Sequence, residues 1–159
     1  FAIGASPDGR CDTAAWHDVV DIACGVRHTA AVLSDGHCVA TGDNSRGQCA
    51  VGDWENVVMI ACGEFHTAGV TADGRVLVAG NAGGEACRVE DLRDVISVAC
   101  LPEATVCVHA DGHMTVRGGD GMLAEAVAPI RDAVAVDGKE YRLAVLTVDR
   151  RVLFLPGTE

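Results

Sequence analysis

Two short clusters carry the residue types that ligate metals or perform nucleophilic and acid–base chemistry. Cys24 stands four residues before His28, and Cys62 four residues before His66. A thiol and an imidazole so spaced suggest half of a zinc site, or a cysteine activated by a neighbouring base. Local zinc sites are ordinarily built around CxxC pairs, and this chain has none. Two glycine-rich loops, Gly80-Asn81-Ala82-Gly83-Gly84 and Arg117-Gly118-Gly119-Asp120-Gly121, have the look of phosphate cradles. Neither carries the Lys-Ser/Thr pair or opens a helical pattern, so the phosphate reading is weak.

The stronger argument is that each of these features recurs. Trp16 and Trp54 stand 38 residues apart, and the segments they open, 16–53 and 54–91, are identical at 17 of 38 positions without a gap. The same step leads to 92–129, which keeps Ala99, Cys100, Asp111, Gly112 and Gly118 in register. A last step leads to 130–159, which keeps Ala144 and Asp149. Residues 1–15 read as the tail of a preceding unit, so 1–159 is expected to be a single repeat domain. A catalytic base or a metal ligand is ordinarily single, whereas Cys24/62/100 and His28/66 are columns of a repeat. The cysteines read as small core hydrophobes and the histidines as turn residues bonding backbone. Trp16 and Trp54 continue as Leu92 and Ile130, a packing column. No catalytic residue, metal site or cofactor is expected.

Within each unit the pattern is short β-strands. VVDIAC (19–24) and VVMIAC (57–62) are β-branched runs ended by glycine, and HTAAVL and HTAGVT follow as second strands. Asp-Gly at 35–36, 73–74 and 111–112 marks hairpins, because such turns need positive φ. No segment shows a sustained helical period. Several short strands per unit, repeated without helices, predict an all-β, propeller-like array of four repeats: a partial propeller, or four blades of a larger or dimeric ring. Residues 1–7 and 153–159 share one register, so each end carries the same strand. That duplication points to further blades, or to a homodimer completing an eight-bladed ring.

The columns resemble the regulator of chromosome condensation (RCC1-like) repeat family. The matching residues are Gly25-x-x-His28-Thr29, Ser34-Asp35-Gly36 and Thr41-Gly42-x-Asn44-x-x-Gly47-Gln48, with Gly63, His66, Thr67, Asp73, Gly74 and Gly80 in the second unit. The later units depart from it: Leu101 replaces the glycine, Ala104 and Arg142 the histidine, and Arg150 the turn glycine. The compact unit is similar to the β-lactamase-inhibitor propeller branch. The resemblance implies a propeller that works by presenting loops to a protein, as an interaction module, an exchange factor for a small GTPase or an enzyme inhibitor. It also admits a purely structural segment of a larger propeller. The plant UV-B sensor of the family carries tryptophan in its Gly-Trp-Arg-His-Thr motif; here the motif reads Gly25-Val26-Arg27-His28-Thr29, which argues against light sensing.

Charge narrows the partners. The formal charge is −11, which disfavours nucleic acid and anionic membranes. No apolar run is long enough for a transmembrane helix, and a cytoplasmic location is expected, reinforced by the absence of disulfide-like spacing. The partner surface is expected where the units differ. The two positions inside G-x-x-H read Val26-Arg27, Glu64-Phe65, Pro102-Glu103 and Glu140-Tyr141. Arg27, Glu64, Phe65, Glu103, Glu140 and Tyr141 are therefore the candidate contacts, aromatic and charged side chains on tight, exposed turns.

Overall fold

Among the described residues, twelve strands fall into four three-stranded antiparallel sheets, each a meander with no crossover. The computed structural model describes residues 9–81, 84–119 and 121–156. The first copy of the duplicated end strand, at 1–7, lies outside the described residues, as do Ala82, Gly83 and Asp120 of the glycine-rich loops. The blades are β1 (Val19–Cys24), β2 (His28–Leu33) and β3 (Cys38–Gly42); β4 (Val57–Cys62), β5 (His66–Thr71) and β6 (Val76–Gly80); β7 (Val95–Cys100), β8 (Ala104–His109) and β9 (Met114–Gly118); β10 (Ala133–Lys139), β11 (Arg142–Thr147) and β12 (Val152–Pro156). Among the described residues the four blades form an open array and do not close into a ring.

Local chemistry sets the turns. Gly36, Gly74 and Gly112 take φ of +85°, +76° and +86° in the β2–β3, β5–β6 and β8–β9 hairpins. Arg150 holds φ +65° at the same place in the fourth. Among the described residues two short helical segments depart from the expected helix-free chain: a 3-10 turn at Glu85–Cys87, and α1 (Met122–Val127), in the loop after the third blade. Its six residues are too short a run to display a helical period, yet Met, Leu, Ala and Glu are strong helix formers. It buries Leu123 and Val127. No helix among the described residues is long and apolar enough to cross a membrane.

The core is not central but divided among the blade interfaces. Ala30, Val32 and Cys38 pack with Val57, Ile60 and Ala79 between blades one and two. Ala68, Val70 and Val76 meet Val95, Val98 and Cys100 between blades two and three. Val106, Val108 and Met114 meet Val136, Leu143 and Val145 between blades three and four, with Leu123, Val127 and Ile130 beneath them. Main-chain bonds stitch each hairpin to the next blade: Val57 N–H donates to Gly36 O (3.0 Å), Val95 N–H to Gly74 O (2.9 Å) and Ala133 N–H to Gly112 O (3.1 Å). The first strands of all four blades, β1, β4, β7 and β10, line a shared groove of about 370 Å³.

Side-chain volume is traded across columns. Half-buried Trp54 lies against Gly69, where a Cβ would come within 2.9 Å of its ring. In the third unit the Trp column holds Leu92 and the Gly column Cys107; in the fourth they hold Ile130 and Val145. As one side chain shrinks its neighbour grows, which keeps the interface filled. Gly69→Ala is expected to cost about 1–3 kcal/mol in urea unfolding. Trp54→Leu added to it is expected to recover part of that loss, giving a favourable coupling energy in a double-mutant cycle.

Candidate functional site

The two histidines of the repeat column are interface residues. His28 and His66 sit at the starts of β2 and β5, fully buried. His28 Nε2 meets Thr67 Oγ1 of the next blade at 2.8 Å, and His66 Nε2 meets Thr105 Oγ1 at 3.0 Å. Each threonine hydroxyl donates onward, Thr67 to Gln48 O and Thr105 to Ala86 O, both at 2.7 Å. A hydroxyl has one proton, so the threonine must accept from the imidazole, and Nε2 carries the hydrogen. Nδ1 of each ring is thereby an unprotonated lone pair, and both Nδ1 atoms are buried without a partner among the described residues. The histidines bond a side chain of the neighbouring blade, not the backbone as expected from sequence. Burial lowers the pKa of His28, partly opposed by Asp43, and lowers that of His66 from 6.5 to about 4, with help from His28. The basic nitrogen, Nδ1, is closed off from solvent and substrate, and burial disfavours its protonation, so neither ring is placed to act as a base on a substrate.

The glycine of the motif is coupled to this ring. A Cβ on Gly25 would meet His28 Cε1 at 2.7 Å, and one on Gly63 would meet His66 Cε1 at 2.9 Å. Where Ala104 replaces histidine, the vacated space is taken by Leu101 in the glycine column. The facing strand then needs room, and Gly138 provides it where the other blades have cysteine: a Cβ there would meet Leu101 Cδ2 at 2.9 Å. The degenerate third and fourth units thus exchange a polar relay for an apolar contact of Leu101, Ala104 and Leu143.

The other chemical candidates are also structural. Cys24, Cys62 and Cys100 run from exposed to buried along successive first strands, and all eight cysteines are thiols. Burial pushes Cys62 and Cys107 up to about 12 and Cys38 to about 11, which leaves them unreactive near neutrality. Cys49 and Cys87 close their loops through S–H contacts to Asp43 O (3.4 Å) and Gly80 O (3.3 Å). The sequence reading passed over His109-x-x-x-His113, which has a zinc-like spacing. The hairpin stacks these rings with centroids 4.0 Å apart, and both nitrogens of His109 are occupied, by Arg93 O (2.7 Å) and Thr115 Oγ1 (2.9 Å). Among the described residues no three His, Cys, Asp or Glu side chains are gathered to hold a metal ion.

The G-x-x-H turns lie together at one end of the blades. Val26 and Tyr141 are 41% and 52% exposed; Arg27, Glu103 and Glu140 are exposed as well. Glu64 and Phe65 are only half-buried rather than open, which corrects the expectation of free turn side chains. Phe65 is covered in part by Arg46, whose guanidinium lies 5.2 Å from its ring centroid. Arg46 was not legible as a contact. It is placed by a self-bonded loop in which Asp43 accepts from Ser45 N–H (2.9 Å) and Gln48 Nε2 (3.2 Å), and Gln48 Oε1 from Arg46 N–H (2.9 Å). Bonds from Ser45 hold the Asp43 carboxyl below its usual pKa. The main chain of these turns is pinned too, with Asp43 N–H donating to Arg27 O (2.9 Å) and Gly119 N–H to Glu103 O (3.0 Å). The end is a surface of varied side chains on turns held by main-chain bonds.

Comparison with known proteins comes to the same fold. The family model described as the regulator of chromosome condensation (RCC1) repeat matches residues 19–48 and 57–83. Human WBSCR16 is 18% identical over 87% of this chain and 47% of its own, with a TM-score of 0.68. Prp20p from Saccharomyces cerevisiae, studied for its binding to Gsp1p and histones, is 14% identical over 85% of this chain and 43% of its own, with a TM-score of 0.64. The computationally designed Ika4 protein is 16% identical over 91% of this chain and 95% of its own, with a TM-score of 0.53. The chain spans about half the length of the two natural structures. No curated protein sequence matches it.

Two outcomes follow from the relay. Thr67→Val leaves His28 Nε2–H unsatisfied in the interface and is expected to cost about 1–3 kcal/mol in denaturant unfolding, whereas Thr67→Ser keeps most of the stability. The second concerns pH. The unfolded histidine takes up its proton near 6.5, the folded His66 only near 4, so the unfolded state binds more protons in between. Stability therefore falls as pH drops through that window, by on the order of 3 kcal/mol for His66. Thermal unfolding at pH 7, 5.5 and 4.5 is expected to show this slope, and His66→Gln to flatten it.

Proposed function

We propose that this chain, an RCC1-like repeat protein, is a protein-interaction module that presents the turn end of its blades to a protein partner. The observation that carries the reading is the combination at that end of exposed Val26 and Tyr141, Phe65 beneath Arg46, and the charges of Arg27, Glu64, Glu103 and Glu140. Aromatic and arginine anchors ringed by charged side chains are the usual composition of binding hot spots. The turns that bear them are fixed by main-chain bonds and buried histidines, so little order has to be gained on binding. Protein binding recorded for structures of this fold supports a protein partner: Prp20p for Gsp1p and histones, and Kap60 bound to yeast RCC1.

The array has unsatisfied ends as well. Ile22 in β1 is 55% exposed, while its counterparts Ile60, Val98 and Val136 are 4%, 1% and 4% exposed. At the other end Leu146, Val152 and Phe154 are 39%, 51% and 79% exposed, where Val32 and Cys38 of the first blade are 0% and 4%. These are blade interfaces without a blade, and we propose a second copy as the occupant. Two such chains supply the length of the natural structures, of which this chain covers 47% and 43%.

The double variant Phe65→Ala/Tyr141→Ala is expected to lose partners captured by the wild-type chain while melting within a few degrees of it; retention of every partner ends the turn-end reading. Light scattering is expected to give the mass of two chains, and Phe154→Asp to return one. A monomer at all concentrations removes the two-copy ring.

A further inference from the structure

We infer that the opposite end of the array is a second interaction surface, and that its partner is a basic peptide segment bearing aliphatic side chains. The inference begins with a β-bulge at the same place in every blade. The register slips between Val19 and Asp21, Val57 and Met59, Val95 and Ser97, and Ala133 and Ala135. The residues left outside the ladder are Val20, Val58, Ile96 and Val134. All face solvent, at 62%, 55%, 46% and 36% exposure. Unlike Ile22, the residues of the two inner blades are as open as those of the outer ones, so a missing neighbour does not explain them. The column also stays β-branched and aliphatic in all four units, although the third and fourth have lost the glycine and histidine of G-x-x-H and the fourth its turn glycine as well. A solvent-facing strand position has no packing reason to remain apolar.

The surroundings of this column are acidic. Asp18, Asn56, Asp94 and Asp132 stand two residues before the four bulge residues. The hairpins arrive at the same end: Ser34 N–H donates to Asp18 O, Ala72 to Asn56 O, Ala110 to Asp94 O and Val148 to Asp132 O, each at 2.8 Å. They bring Asp35, Asp73, Asp111 and Asp149. Most cations here are engaged internally. Arg75 and Arg151 pair with Asp73 (2.7 Å) and Asp149 (2.6 Å), while Arg93 and Arg131 donate to Leu92 O (2.7 Å) and Ile130 O (2.8 Å) of their own loops. Arg150 is the exception. Asp35, Asp94 and Asp132 form no ion pair among the described residues. The result is an exposed apolar residue in every blade, with a carboxylate two residues before it in three of the four and Asn56 in the second. With more carboxylates than guanidinium groups at this end, complementarity favours alternating aliphatic and cationic side chains over nucleic acid, anionic lipid or acidic peptides.

This surface shares no residue with the turn end, so the two readings fail separately. The test is a titration of the full chain, methyl-labelled at Val and Ile, with a synthetic Lys-Leu repeat peptide, and with Lys-Ser and Glu-Leu peptides as controls. The Lys-Leu peptide is expected to shift the methyls of Val20, Val58, Ile96 and Val134 but not Val26, with the Lys-Ser peptide weaker and the Glu-Leu peptide inactive. The variant Val20→Thr/Val58→Thr/Ile96→Thr/Val134→Thr keeps the β-branch and is expected to weaken binding by about tenfold or more. Asp94→Asn/Asp132→Asn is expected to weaken it without moving the melting temperature. Shifts confined to the turn end, equal binding of the Glu-Leu peptide, or undiminished affinity of a folded threonine variant would overturn the proposal. Because the methyl map is read on the wild-type chain, a threonine variant that fails to fold leaves the test intact.

Discussion

Three strands of five to seven residues cannot bury both faces of their own sheet, so every blade depends on the next for its core. The interface must therefore be filled and polar groups within it satisfied, four units in succession, with sequences that have drifted apart. The chain meets this constraint in two chemically distinct ways. Between blades one and two, and two and three, an imidazole, a threonine hydroxyl and a loop carbonyl form a buried line of hydrogen bonds, with glycine leaving space for the ring. Between blades three and four the same space is filled by Leu101, Ala104 and Leu143, with Gly138 giving way on the facing strand. Changing one of these residues alone would open a cavity or create a clash. They make sense only as a set, which is how the family motif can disappear from the later units while the fold continues.

The two solutions differ in consequence. The relay ties β2 and β5 to the loops that carry Gln48 and Ala86, and so fixes the turn end through its own donors and acceptors. It also leaves one bare, buried nitrogen per ring, so the first two interfaces carry a proton sensitivity that the third, with Ala104 in the histidine column, does not. The array is therefore uniform in backbone but graded in chemistry from one end to the other.

Much of this was readable from residue spacing. The 38-residue step gave the strands, the hairpins and the packing role of Trp54, because period-two alternation and Asp-Gly turns are local signals. What the histidines touch was not readable, since Thr67 lies one unit away and only the blade geometry brings it to His28. The helix Met122–Val127 escaped because six residues show no period. Arg46 escaped because its position over Phe65 is set by a loop of side-chain-to-backbone bonds. The exposed column at the strand starts did leave a trace: each unit opens its first strand with two adjacent apolar residues, and in an alternating strand only one of two neighbours can face the core.

That doublet shows how function can be separated from structure in a repeat of this kind. The positions inside G-x-x-H have been free to vary because the turn is held from within by the buried ring or its apolar substitute, so their variety alone says little. The bulge column is the reverse case: it has no packing partner, yet it has not varied in type. A bulge needs an extra residue in the strand but does not need that residue to be apolar. Turn chemistry explains the invariance of Gly36, Gly74 and Gly112, and core volume explains that of Val51, Val89 and Val127, which are buried in their loops. Neither explains Val20, Val58, Ile96 and Val134. Constancy without a structural cause, at the solvent, is the stronger mark of a surface that meets something, and here it lies at the end of the blades where variation was not seen.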